Sequence, residues 1–324
     1  MRFLLRRLGF YLTAAWASVT LSFFLPRLMP GDPATAMFAR FRGRLAPEAI
    51  AAMRSAFGFS DAPLLQQYAR YLAHAAHGDL GISISYYPAS VGSVIGQALI
   101  WTLFLSGVAV LISFLLGTVL GVLAAWKRGG WLDGALPPVL TLLGAFPYFW
   151  LAMAALFVFG IGLGWAPLRQ AYDDRLAPAP SAAFVASVFQ HAVLPAATIV
   201  VATVGGWMLS MRATMINVLA QDHVLYAHAR GLSPWRIMFQ YAARNALLPN
   251  VAGFGIALGF VLSGSLLTEI VFSYPGQGYL LFRAVKSLDY PLIQGLFLTT
   301  TVAVLGANWL VDLVAVWLDP RARS

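Results

Sequence analysis

The sequence predicts an all-α membrane protein with about six transmembrane helices. Three observations carry this. Hydrophobic residues make up 60% of the 324 positions, charged residues only 10%, and the apolar residues gather into runs long enough to cross a bilayer. A water-soluble domain carries roughly 25% charged residues, whereas mean hydropathy here is +0.76. That balance excludes soluble globular, disordered and nucleic-acid-binding classes. The chain is basic, with 21 Lys and Arg against 12 Asp and Glu and a formal net charge of +9. In so apolar a chain, basic loops meet anionic lipid and hold cytoplasmic ends inside. There is no cysteine, which removes disulfide scaffolds, thiol catalysis and cysteine-based metal sites.

The apolar runs fall at 8–28, 98–126, 136–163, 191–211, 249–272 and 291–318. Each is far longer than the roughly 10 residues of a barrel strand and lacks alternating polarity, so each is helical. Trp126, Trp131, Trp165, Trp309 and Trp317 stand near run ends, where interfacial anchors belong. Arg2, Arg6 and Arg7 precede the first run and Ala34-Thr35-Ala36 resembles a signal-peptidase site. The apolar core is too long for a signal peptide and the small residues follow Pro26, Pro30 and Pro33, so the run is read as a retained span. With the N-terminus inside, the inner segments are 1–8, 127–135, 212–248 and 319–324. They hold Arg2, Arg6, Arg7, Lys127, Arg128, Arg212, Arg230, Arg236, Arg244, Arg321 and Arg323, 11 of the 21 basic residues. Basic residues are denser there than outside, which places both termini in the cytoplasm. The chain then divides into a cytoplasmic N-terminus with the first span (1–29), an extracytoplasmic segment (30–97), a five-helix core (98–318) and a cytoplasmic tail (319–324).

The segment 30–97 carries two short amphipathic helices. Pro47-Glu48 followed by Ile50, Met53 and Phe57 predicts one ending at Gly58; Pro63 opens the other, where Leu64, Leu65, Tyr68, Tyr71, Leu72 and Ala75 recur until Gly78. They form a docking platform, a lid or a lipid-surface element. His74, His77 and Asp79 invite a metal reading, but no third or fourth ligand cluster accompanies them and no metal is assigned.

The most informative loop is 217–248, between the fourth and fifth spans. The pattern predicts a helix over 217–230 extending from the fourth span and stopped by Gly231, then a second helix with Ser233 as N-cap and Pro234 at its first position. On it Trp235, Met238, Phe239, Ala242 and Ala246 share one apolar stripe, and Arg236, Gln240 and Arg244 another face. Pro249 ends it where the next span begins. Both ends are tied to spans, so the pair cannot leave the membrane surface to read DNA. It lies flat on lipid, or it is a rigid lever whose apolar stripe fits a groove on a cytoplasmic partner.

Two carboxylates fall near span ends, Glu269 outside and Asp312 inside, where water reaches them; gate, interface or packing roles are expected rather than proton relay. The pairs Gly117/Gly121, Gly160/Gly164 and Gly255/Gly259 permit close helix approach. No Walker A loop, HExxH or Gly-x-Ser-x-Gly is present, so no catalytic residue is assigned.

In order along the chain stand Pro30-Gly31-Asp32-Pro33, Gly78-Asp79-Leu80-Gly81, Ala227-His228-Ala229-Arg230-Gly231-Leu232-Ser233, Ala243-Arg244-Asn245-Ala246-Leu247-Leu248-Pro249, Glu269-Ile270-Val271-Phe272-Ser273-Tyr274-Pro275-Gly276, Asp289-Tyr290-Pro291 and Leu318-Asp319-Pro320-Arg321. With these the chain resembles, nearly end to end, the dipeptide/oligopeptide permease family of ABC importers, specifically the first of the two paired membrane subunits. The resemblance implies a bacterial inner-membrane permease working with a second permease, two ATPases that hold the ATP and Mg, and an extracytoplasmic solute-binding protein. It also makes 227–249 the coupling loop that docks on an ATPase. Ala227, Ala229, Gly231, Ser233, Pro234 and Pro249 would then set loop geometry, while Trp235, Arg236, Met238 and Phe239, with Arg230 and Arg244 beside them, would meet the ATPase. Leu225 stands where the family signature opens with glutamate, and Gln221 where an acid is common, with Asp222 retained. An ion-coupled secondary transporter is the alternative class, and a nickel complex, glutathione or sugar the alternative cargo; neither mid-span coupling carboxylates nor an internal repeat is visible.

Overall fold

The computed structural model describes residues 2–28, 62–261 and 265–318, and their side chains except those of 2–8, 26, 260 and 310–318. Among the described residues there is no strand, only an isolated bridge between Ile82 and Ser90. The predicted helix at 47–57, Met1 and the tail 319–324 lie outside these residues. Helix α1 is Arg2–Leu28 and α2 is Leu64–Ala76. α2 begins after Pro63 and ends at Gly78 (φ 73°), both as the sequence predicts. It lies against α1: Tyr68 shares a 2.7 Å hydroxyl contact with Thr20, and Phe23 packs on the rings of Tyr68 and Tyr71.

Among the described residues, helix α3, Val91–Trp126, is one of three single helices long and apolar enough to span a membrane; the others are α6, Ala182–Leu219, and the Tyr290–Trp309 stretch of α12 (Tyr290–Leu318). Between α3 and α6 the chain departs from expectation. The run at 136–163 is not one straight rod but α4 (Trp131–Ala145) and α5 (Tyr148–Gly162), bent by 92°. Pro147 is the cause. Proline removes an amide donor and forces its predecessor out of the helical region, and Phe146 is accordingly extended at φ −77°, ψ 137°.

Within the fifth run stand α9, Leu248–Val261, and α10, Leu266–Val271, with Ser265 non-helical (φ −97°, ψ 71°) just before the second. After α10 come α11, Gln277–Lys286, and α12. The stem of the bundle is α3 against α6, with α4 and α9 beside α6, and α12 bridging α1 and α9. Gly117 and Gly121 allow that closeness. A Cβ on Gly117 would fall 2.6 Å from Trp207 Cβ, and one on Gly121 2.6 Å from the Met208 carbonyl oxygen. Gly259 faces Ala307 of α12 in the same manner, with 3.1 Å for a Cβ.

The two ends of α3 define the two ends of the molecule. At the Val91 end, Val91, Ile95 and Ala98 pack with Leu280 and Ala284 of α11 and with Leu292, Ile293 and Leu296 of α12. At the Trp126 end, Val122 and Ala125 pack with Met211, Met215 and Val218 of α6 and with the loop that follows.

Candidate functional site

The loop after α6 is a helical elbow. α6 stops at Leu219, and Gln221 is extended (φ −84°, ψ 149°) before α7, Asp222–Ala229. The continuous extension predicted over 217–230 is therefore two helices with a break at Ala220 and Gln221, and Asp222 sits in the first turn of the second, where its charge favours the helix N-terminus. The stop at Gly231 is as predicted. Gly231 N donates to the His228 carbonyl at 2.9 Å and Leu232 N to the Ala227 carbonyl at 3.4 Å, the paired closure of a Schellman motif. Gly231 has φ 69°, and a Cβ there would meet open space. The backbone angle, not crowding, demands glycine.

Ser233 takes the N-cap position without a side-chain cap bond, and Pro234 the first helical position of α8, which runs through 234–246. Its middle, Ile237–Ala243, is π-helical. A π-helical segment bonds i to i+5 and rotates every later residue relative to an α-helix, so the stripe read from 3.6-residue spacing splits. Met238, Ala242 and Ala246 face inward with Ile237, joining Val224 and Ala227 against α3 and α6. Burying the Ile237 and Met238 side chains stabilises the seat by about 3–6 kcal/mol between them. Trp235 and Phe239 point out, 67% and 45% exposed, and stack with ring centroids 5.7 Å apart and planes at 7°. Met238 is thus an internal anchor and not a surface contact.

Around the stacked pair, Ala229, Arg230, Arg236 and Arg244 are exposed, as are Leu225 and Tyr226, and Arg236 Nε donates to Gln240 Oε1 at 3.1 Å. The elbow is braced from within. Asn245 Nδ2 donates to the Tyr241 carbonyl at 3.1 Å, His223 Nε2 lies 3.3 Å from the same carbonyl, and His228 stacks on Trp126 at 10° between planes. Pro249 falls in the first turn of α9, after Leu247 has already bonded back to Ala243. Asn250 fastens that turn by accepting from Ser210 Oγ (2.6 Å) and donating to the Trp207 carbonyl (3.2 Å).

A second brace at this end was invisible to local reading. Arg212 Nε donates to Asp133 in the first turn of α4, and Gly129 N donates to the other oxygen at 2.9 Å. The Arg212 hydrogen bond first, and the Gly129 amide second, hold the Asp133 carboxyl below the usual carboxylate range. The partners are 79 residues apart, and the only sequence signal is an acid in a helix first turn.

At the Val91 end Glu269 is fully buried, not water-exposed as its place near a span end suggested. Its oxygens accept from Thr102 Oγ1 (2.9 Å), Gly278 N (2.7 Å) and Tyr279 N (3.1 Å), so the carboxylate caps the N-terminus of α11. A helix N-terminus with unpaired amides replaces the water that burial removes. A Cβ on Gly276 would overlap this carboxylate, and one on Gly278 would lie 2.6 Å from Leu266 Cα. Asp289 does the equivalent for α12, accepting from Leu292 N (3.2 Å), Ser83 Oγ (2.6 Å) and Ser85 N (2.8 Å). Asp312 belongs to α12 by backbone, and its side chain lies outside the described ones. His74 Nδ1 bonds Asp79 Oδ2 at 2.9 Å, and His77 Nδ1 the Ala73 carbonyl at 2.7 Å.

Apolar helices long enough to cross a bilayer, with a braced helical elbow at one end and a carboxylate-capped helix at the other, define a multi-pass membrane protein. Residues 117–324 match the sequence model of the binding-protein-dependent transport system inner membrane component. The chain is 34% identical to the di/tripeptide transport system permease protein DppB of Pseudomonas aeruginosa, over 100% of this chain and 99% of that protein. It is 33% identical to the probable D,D-dipeptide transport system permease protein DdpB of Escherichia coli, over 97% and 94%, and 32% identical to the dipeptide transport system permease protein DppB of the same organism, over 100% and 99%. The chain belongs to the binding-protein-dependent transport inner-membrane family, as its sequence motifs led us to expect. It is an ABC-importer permease subunit and not an enzyme; hydrolysis in such systems lies in partner subunits.

Proposed function

We propose that the chain is the first of two paired membrane subunits of an ATP-driven importer for peptides of the dipeptide and oligopeptide class. It sits in a bacterial inner membrane with its termini and the Trp126 end of the bundle in the cytoplasm. The peptide assignment rests on the relatives, whose names specify di- and tripeptides or dipeptides. The mechanical assignment rests on one observation: the stacked Trp235 and Phe239 rings stand exposed on an elbow whose other face is locked into α3 and α6. Stacked aromatics on a rigid mount are the kind of anchor that carries binding energy at an interface. Here they would enter a groove on an ATPase subunit, with Arg230, Arg236 and Arg244 at the rim.

ATP-driven closure of the two ATPases would draw this elbow and its counterpart on the second permease together, shifting the helices between outward- and inward-open packings. Ala227 and Met238 transmit the push because they are packed, Gly231, Ser233 and Pro234 hold the corner, and Pro249 passes the motion into α9. Ala229 keeps the exposed side of α7 small beside that corner. Glu269 holds the outer helix α11 in place during the swing, and Asp312 serves the interface between spans. Lipid surrounds the rest, and no role with nucleic acid is assigned.

The test uses the natural absence of cysteine. A Tyr226→Cys chain, whose thiol stands on the exposed side of α7 and leaves the Trp235–Phe239 stack intact, assembled with its partner permease, ATPases and binding protein, should cross-link to an ATPase subunit during turnover and take up labelled dipeptide into vesicles. Cross-links to lipid alone, or an assembled complex that imports no peptide, would reject the reading.

A further inference from the structure

The helix that enters the elbow and the helix that leaves it wall a common cleft. It lies between α4, α6 and α9 and measures 550 Å³, within the roughly 300–1,000 Å³ usual for small-ligand sites. Thr141 and Gly144 come from α4, Thr203, Gly206 and Ser210 from α6, and Asn250 from the first turn of α9. Among the described residues no charged side chain lines it. Its position couples it to the elbow. The α4 wall is fastened to α6, because a Cβ on Gly205 would lie 2.8 Å from the Leu140 carbonyl oxygen and Arg212 bonds Asp133 below. The α9 wall is fastened elsewhere, through Gly259 against Ala307 of α12, and meets α6 at the cleft floor through Asn250 and Ser210. A push on the elbow therefore changes the gap between α9 and the α4–α6 plate.

The lining also states what it can recognise. The Thr203 hydroxyl donates to the Ile199 carbonyl at 2.8 Å and the Ser210 hydroxyl to Asn250 Oδ1 at 2.6 Å. Each oxygen keeps acceptor capacity once its hydrogen is committed. Uncharged acceptors suit the main-chain N–H groups that every peptide carries, and a lipid chain has no donor for them. The width is set by glycine. Gly206 is exposed and a Cβ there would meet nothing within 4 Å, so the space beside it belongs to the cleft; a Cβ on Gly144 would make only ordinary contact, 3.5 Å from the Ala202 carbonyl oxygen. We infer that this cleft holds the peptide in transit and selects it by size at Gly206, accepting from its main chain and ignoring its charge. The inference rests on the importer reading above.

The test measures uptake of labelled dialanine and trialanine by the assembled importer in vesicles. Gly206→Leu fills the cleft without striking the chain, so it should cut tripeptide uptake about tenfold and dipeptide uptake about twofold. Its melting temperature should stay within a few degrees of the parent's, and the second permease should still co-purify. The neighbouring Gly205→Ala drives a methyl against Leu140 and should instead lower the melting temperature and slow both peptides alike. Gly306→Leu, at an exposed glycine of α12 with equal room, should change neither uptake. Unchanged uptake of both peptides by Gly206→Leu, or a matching size effect from Gly306→Leu, would overturn the transit site while leaving the importer reading intact. Equal loss of both peptides would overturn selection by size, and loss of the second permease with it would assign this face to subunit contact. Failure of the unaltered importer to take up either peptide would refute the importer reading itself.

Discussion

Thr102 and Glu269 are joined by a 2.9 Å hydrogen bond that ties the middle of α3 to the cap of α11, because the same hydroxyl that donates to Glu269 accepts from Gln277 N at 2.7 Å. Thr102→Val keeps the shape and strands both partners, at a cost of about 1–3 kcal/mol. Thr102→Ser should cost less. Glu269→Gln places an amide donor among three donors and should cost about 2–3 kcal/mol. Thermal unfolding of the purified protein in nanodiscs should rank the variants unaltered, Thr102→Ser, Thr102→Val, Glu269→Gln. A Gln variant as stable as the parent would refute the cap.

The corner at Gly231 separates backbone strain from crowding. Its φ of 69° costs about 1–2 kcal/mol for an ordinary residue, and there is room for a side chain. Gly231→Asn, which tolerates this conformation, should retain most coupling, whereas Gly231→Val should hydrolyse ATP without importing peptide. Parallel uptake and hydrolysis assays on the assembled importer decide it; normal import by the valine variant refutes the corner's role.

Neighbours on α8 should fail in different ways. Met238→Ala opens a cavity in the seat and should lower stability by about 2–5 kcal/mol. Trp235→Ala removes only the exposed half of the stack and should leave the melting temperature within a few degrees while weakening ATPase capture by about 2 kcal/mol. Pull-down of the ATPase beside a melting curve distinguishes the two. If both variants lose stability alike, Trp235 is packing and not contact.

Asp133 supplies a pH prediction. Its folded-state pKa lies below the ordinary value of 3.8, chiefly through Arg212. A depressed carboxylate stabilises the native state above the unfolded pKa, and that stabilisation is lost as pH falls through the folded value. The gap in melting temperature between the parent and Asp133→Asn should be constant from neutral pH to about 5 and close below about 4. A gap that persists in acid would show that the aspartate acts by shape alone.

Composition and run length were enough to announce a multi-pass helical membrane protein, because about 20 apolar residues in succession have few other uses. Glycine and proline punctuation was equally legible: Gly78, Gly231, Pro63 and Pro234 each stand at the helix boundary their backbone chemistry requires. Facing was not legible. Spacing put Met238 and Trp235 on one stripe, and the π-helical segment Ile237–Ala243 turned one inward and the other outward. The 92° turn at Pro147 was hidden inside an unbroken apolar run, since lipid-facing and core-facing residues are equally apolar and hydropathy does not register direction. Glu269 looked solvated because a span end usually is. Its burial depends on Thr102 and the α11 amides arriving from elsewhere in the chain, and pairings of that range come from packing, which no local pattern encodes.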